Sequence, residues 1–132
     1  MLVASESIVT ELNKLRLPYN INSLSQAVAV SALKHRSVLN RQISLLISER
    51  KKLYNAFSKL PGITAYPSVT NFIMIRTAAD ASVIHRKLKQ AGILIKNLSK
   101  PGPLKNCLRV TIGTPAENKE FLTALRKILE AL

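Results

Sequence analysis

The chain has no tryptophan, one cysteine, two histidines, four glycines and seven acidic residues in 132 positions, and each scarcity removes a class of function. A lone Cys107 excludes an internal disulfide and fits a reducing, cytoplasmic setting. With only His35 and His85 beside it, far apart in the chain, no zinc-ligand spacing can be assembled. The glycines at 62, 92, 102 and 113 are too dispersed for a Rossmann or Walker phosphate loop, and no nucleophile elbow is present. Aromatic residues make up 5% of the chain and are not interleaved with the basic ones, as a stacking platform for single strands requires. Nucleic acid is therefore not the expected partner. No apolar run approaches the roughly twenty residues that span a bilayer, so no membrane partner is expected either. The opening MLVASESIV lacks the basic start and unbroken apolar stretch of a secretory signal.

What is abundant is positive charge. Twenty Lys and Arg against seven Asp and Glu give a net charge of +13, which favours anionic ligands or an acidic protein surface. An apolar content of 47% with 20% charged residues and a length of one ordinary domain point to a globular fold with its own core.

Periodicity orders the chain. Residues 5–16, SESIVTELNKLR, carry Ile8, Leu12 and Leu15 at helical spacing behind a Ser5 cap. Pro18 ends that helix, and Tyr19 to Asn22 cross in extended form before Ser23-Leu24-Ser25-Gln26 offers a capping box for a second helix. The apolar stripe weakens around Lys34-His35-Arg36-Ser37, where a kink or break is expected, and resumes from Leu39 to Leu60. After Pro61-Gly62 the period shortens to two. Ile63–Tyr66 is a strand candidate, and Thr70–Arg76, apolar on both faces, is a central one. Ala78–Gln90 is a helix ended by Gly92, Ile93–Lys96 a third strand, and residues 97–105 a loop. NCLRVTIGTP, residues 106–115, is a fourth strand running into Thr114-Pro115-Ala116-Glu117, a capping box with proline at the first helical position. A final amphipathic helix reaches Leu132. The expected architecture is α/β in the two-layer α+β sense: a three- to four-stranded sheet covered by helices, preceded by a long helix with a break.

No catalytic constellation stands out within these elements. Asp80, Glu117, Glu120 and Glu130 fall at helix starts or on exposed helix faces, where capping and dipole effects account for them. Arg109 does stand out, as the one cation within a strand that otherwise reads as buried. Alternation puts Leu108, Val110 and Ile112 on one face and Cys107, Arg109 and Thr111 on the other, so Arg109 lies off the core on a face that a ligand or solvent can reach.

Four segments, VASESIVTELNKLRLPYNINSLSQAVAV, YPSVTNFIMIR, QAGILIKNLSK and NCLRVTIGTPAENKEFLTAL, arrive in an order and spacing that resembles the C-terminal part of histidinol-phosphate aminotransferases, a fold-type I pyridoxal-phosphate family. The likeness covers nearly all 132 residues. It implies the small C-terminal domain of such an enzyme, a single domain over 1–132 with residues 1–22 as an arm from the interdomain segment. It also implies that Arg109 binds the anionic end of a phosphorylated, amino-acid-like substrate and that Lys96 assists. Tyr19, Asn20, Asn22 and Asn71 are lesser candidates. The Schiff-base lysine and the other cofactor contacts belong, by the same resemblance, to a large domain expected to precede residue 1. Pyridoxal 5'-phosphate is accordingly expected in the complete enzyme, a homodimer by resemblance, and neither cofactor binding nor activity is expected of these residues alone. Two alternatives remain: another fold-type I enzyme, such as a threonine-phosphate decarboxylase or an aromatic aminotransferase, and a non-enzymatic basic binding module.

Overall fold

The structure, a computed structural model, describes residues 4–16 and 21–132. Its contacts divide the chain into two units, Met1–Leu39 and Asn40–Leu132.

The first unit is helical. Helix α1 (Glu6–Asn13) follows Ser5, whose hydroxyl meets that of Ser7 at 3.1 Å instead of capping a backbone N–H. Helix α2 (Ser23–Lys34) is capped by Asn22, one residue earlier than the Ser23 box suggested. The Asn22 side-chain oxygen accepts the Ser25 N–H at 2.8 Å, satisfying one of the four N–H groups that a helix start leaves without partners. None of the residues of α1 or α2 is buried. The expected break falls at His35, which leaves helical geometry with φ −99° and ψ 36°. Helix α3 (Arg36–Phe57) starts immediately after it and runs across the division between the units.

The second unit is a two-layer sandwich of sheet and helix. Strands β1 (Ile63–Ala65), β2 (Phe72–Thr77), β3 (Lys96–Asn97) and β4 (Cys107–Thr111) form one sheet in the order β1-β2-β4-β3, antiparallel throughout. Ile73 and Ile75 of β2 and Leu108 and Val110 of β4 share one face by alternation. They are buried in a single cluster with Leu53 and Phe57 of α3, Ile84 and Leu88 of helix α4 (Ala81–Gln90), and Phe121 and Leu125 of helix α5 (Pro115–Glu130). The rings of Phe57 and Phe121 meet edge to face, 6.0 Å apart at 81°, the arrangement that the ring quadrupoles favour.

Local chemistry sets the helix starts. Asp80 caps α4 by accepting the Ser82 N–H at 2.7 Å. The expected capping box opens α5: Glu117 accepts the Thr114 N–H at 2.7 Å while the Thr114 hydroxyl accepts the Glu117 N–H at 3.4 Å, with Pro115 in the first turn. One expected element is displaced. The strand read at Ile93–Lys96 pairs only at Lys96 and Asn97. Gly92 ends α4 at φ +80°, the Ile93 N–H returns to the Leu88 carbonyl at 2.9 Å, and Ile93 and Ile95 pack on the core before pairing begins.

Candidate functional site

All three helices of the second unit pack on one face of the sheet, which leaves the other open. Phe72, Met74 and Arg76 of β2, Arg109 and Thr111 of β4, and Lys96 of β3 point to that open side by alternation and register, and none of them is acidic. Arg109 sits at the centre of this face. Its register partners are Met74 on one side and Lys96 on the other, and residues so opposed have Cβ atoms about 4.5–5.5 Å apart. The Arg109 guanidinium lies 5.1 Å from the centroid of the Phe72 ring, a cation–π contact that holds it along the sheet.

Two like charges placed directly opposite each other repel, and neither Lys96 nor Arg109 has a carboxylate within ion-pair distance among the described residues. Both are exposed. A phosphate or carboxylate bridging them removes the repulsion and fills both sets of donors. Arg109 offers a planar fork suited to two parallel hydrogen bonds, whereas Lys96 offers a point charge on a flexible stem.

Tyr19 and Asn20 lie outside the described residues. Asn22 spends its side-chain oxygen on the α2 cap. Asn71, one residue before β2, is exposed, and its backbone carbonyl accepts the Ile112 N–H at 2.8 Å. It stands three positions from the Met74–Arg109 row, about 10 Å along the strand. Among the described residues no group of three or more His, Cys, Asp or Glu side chains could hold a metal ion, and no helix is long and apolar enough to cross a membrane.

Three residues escaped the sequence reading, one on this face and two beneath the sheet in the helix layer. Arg76 shares the open side with Arg109. Its guanidinium donates to the Pro103 carbonyl and lies 5.8 Å from the Tyr66 ring centroid. Its pKa is raised further above an already high value, by its register partner Cys107 first and by the charge of Tyr66 second. Cys107 itself is fully buried, although alternation puts it on the open side; Arg76 is its register partner, and its Sγ donates to the Lys105 carbonyl at 3.7 Å.

The other two are Glu49 and Asn118, 3% and 6% exposed. The Asn118 amide donates to Glu49 at 2.9 Å and to the Gly113 carbonyl at 3.0 Å, and accepts the Gly113 N–H at 3.0 Å. One side chain thus clasps both polar groups of the residue that turns β4 into α5. Lys52 donates to Glu49 at 2.7 Å. Its hydrogen bond, followed by that of Asn118, outweighs burial and holds the Glu49 carboxyl below the usual glutamate range. A signal for both existed: Glu49 falls on the stripe Leu46, Leu53, Phe57, and Asn118 on the stripe Phe121, Leu125. A polar residue on an apolar stripe has to find a buried partner.

The family described as aminotransferase class I and II matches residues 1–125. The histidinol-phosphate aminotransferase of Chromobacterium violaceum is 48% identical over 125 residues, which are 94% of this chain and 35% of that protein. Among solved structures, the L-threonine-O-3-phosphate decarboxylase of Porphyromonas gingivalis is superposed with a TM-score of 0.83 at 25% identity, covering 97% of this chain and 40% of that one. The histidinol-phosphate aminotransferase of Sinorhizobium meliloti, in complex with pyridoxal-5'-phosphate, gives 0.79 at 23% identity over 95% of this chain and 34% of that one. The chain spans about a third of the length of the curated relatives it matches, 35% for the first of these.

Proposed function

From a chain that belongs to the class I and II aminotransferase family, we propose the small C-terminal domain of a pyridoxal-phosphate-dependent histidinol-phosphate aminotransferase, with residues 1–22 as an interdomain arm and Arg109 and Lys96 as the residues that hold the substrate's anionic end. The whole enzyme, a cytoplasmic homodimer, would move an amino group between L-histidinol phosphate and 2-oxoglutarate. The observation that carries the reading is the Lys96–Arg109 pair, two opposed cations on an open sheet face with no carboxylate partner among the described residues.

The open face carries no carboxylate to partner a pyridine nitrogen, and in this reading a large domain of the complete enzyme supplies the cofactor contacts. The part left to this chain is binding and orientation. Arg109 takes two oxygens of the anion, Lys96 takes a third, and Phe72 keeps the guanidinium from swinging away. Closure of a large domain over this face would exclude water and strengthen both contacts.

A second reading rests on the similarity to the threonine-phosphate decarboxylase structure, whose name also gives a phosphorylated substrate. The discriminating experiment uses the complete enzyme with L-histidinol phosphate, unphosphorylated L-histidinol and O-phospho-L-threonine, followed by glutamate formation and by release of carbon dioxide. Aminotransfer from L-histidinol phosphate is expected. Arg109→Ala should lower kcat/KM for the phosphorylated substrate by about 2–5 kcal/mol equivalent and alter that for L-histidinol far less. Equal losses on both substrates would remove Arg109 from the anion site, and carbon dioxide release from O-phospho-L-threonine would move the chain to the second reading.

A further inference from the structure

The two cations of the candidate site are joined by one irregular loop. Residues 98–106, with Pro101, Gly102 and Pro103, run from β3 back into β4, and β3 contributes only two paired positions, Lys96 opposite Arg109 and Asn97 opposite Leu108. A two-residue edge strand has little hold of its own, and a loop of this length explores many conformations unless it is tied.

Most of the ties lie at the loop's ends. Asn97 accepts the Ser99 N–H at 2.8 Å, the Ser99 hydroxyl accepts the Asn106 N–H at 3.0 Å, and the Leu98 N–H reaches the Cys107 carbonyl at 3.0 Å. Asn106 adopts the left-handed conformation, φ +57°, which directs its carbonyl to Thr77. There it accepts the backbone N–H at 2.9 Å and the hydroxyl at 3.3 Å. Arg76 alone, among the side chains of the neighbouring strand, reaches the middle of the loop. Its guanidinium donates to Pro103 and is steadied by the Tyr66 ring, and its register partner on β4 is the buried Cys107.

We propose that Arg76 is a positioning residue for anion binding: by holding the Pro103 carbonyl it draws the 98–106 loop over Cys107 and keeps Lys96 in register with Arg109. The proposal rests on the reading that Lys96 and Arg109 bind the substrate's anion. The role needs a guanidinium. Arg76 meets the Pro103 carbonyl and the Tyr66 ring face, and a planar group with five donors can serve both together where an ammonium cannot. It also bears on the lysine at position 96, whose flexible stem makes the placement of its backbone the main control over where its charge sits.

Titration of the 132-residue chain with inorganic phosphate, followed by the backbone amide NMR signals of Lys96 and Arg109, tests this with the variants R109M, R76M and R76K. The unaltered chain should bind, and R109M should bind at least about tenfold more weakly. R76M and R76K should both weaken binding by about three- to tenfold and speed exchange of the Leu98 amide, while the amides of Ile75 and Val110 report an intact core. The ionic-strength dependence of phosphate binding should be the same for R76K as for the unaltered chain, because the charge is kept. If R109M weakens binding and R76K binds like the unaltered chain, the anion site stands and Arg76 acts only as a charge, which overturns the inference. Unchanged Leu98 exchange in both Arg76 variants overturns it as well. If phosphate does not bind, or R109M binds it as well as the unaltered chain, the reading of the site fails and the inference falls with it.

Discussion

Helices α2 and α4 lie in different units, and the contrast between them shows what a sequence pattern can and cannot secure. Both are capped by a side chain that accepts a backbone N–H, Asn22 in one and Asp80 in the other. In α4 the apolar positions Ala81, Ile84 and Leu88 form one stripe and are fully buried against the sheet. In α2, Leu24, Val28, Val30 and Leu33 spread around the helix, and each is more than half exposed. A cap and good helix formers make a helix in either case. A core requires a facing layer, and among the described residues only those of the second unit supply one.

The most direct way to break this contrast is to remove side chains from each unit. Phe57→Ala deletes a fully buried ring that meets Phe121 and should cost about 3–5 kcal/mol. Leu33→Ala, on an exposed position, should stay within about 0.5 kcal/mol. Urea unfolding followed by circular dichroism gives both values. Similar losses at the two sites would mean that α2 is packed as tightly as α3.

Next in size is the clasp at the end of β4. Asn118→Leu keeps the volume but leaves Glu49 with Lys52 alone and both polar groups of Gly113 without their partner, at a cost of about 1–3 kcal/mol. The same clasp predicts a pH dependence confined to the second unit. The folded-state pKa of Glu49 is depressed, so the folded chain binds fewer protons than the unfolded one between the two values. The stability Glu49 contributes is therefore complete above the ordinary glutamate pKa and is lost as pH falls through the lowered one. Glu117 adds to the trend: the Thr114 backbone N–H first and its hydroxyl second lower its pKa. Melting temperatures across the acid range should fall more steeply for the unaltered chain than for Glu49→Gln. Parallel curves would show that Glu49 is not held ionised.

How much of this was legible follows the range of the interaction concerned. The capping box at Thr114, the end of α4 at Gly92, the break at His35 and the outward face of Arg109 depend on residues within a few positions of each other, and the pattern carried them. The start of β3 did not show, because Ile93, Leu94 and Ile95 read as strand whether they pair or merely pack, and pairing is decided by β4. Burial of Cys107 depends on Arg76 and a loop that doubles back, and Glu49 meets Asn118 across 69 positions. For the site, position 96 opposite 109 emerged only with the register. The resemblance names both residues without giving the register that sets one opposite the other.

The smallest effect expected is also the one that separates a structural role from a functional one. Asn22→Ala removes the α2 cap and should cost about 0.5–2 kcal/mol. For a helix of 12 residues with none buried, that is enough to melt it, because isolated helices of this length are marginal in water. The loss should be local: amide exchange across Ser23–Lys34 should accelerate while Ile75 and Leu125 exchange as before. In the second unit, Thr114→Ala should act differently, because α5 carries buried Phe121 and Leu125 and a weakened cap there is felt as a loss of global stability. Asn22→Ser then decides what the asparagine is for. Serine caps about as well as asparagine but has no carboxamide, so it should restore slow exchange in α2. If the complete enzyme carrying Asn22→Ser is fully active, Asn22 serves the helix alone. Reduced activity with α2 intact would instead place its amide among the groups that meet the substrate.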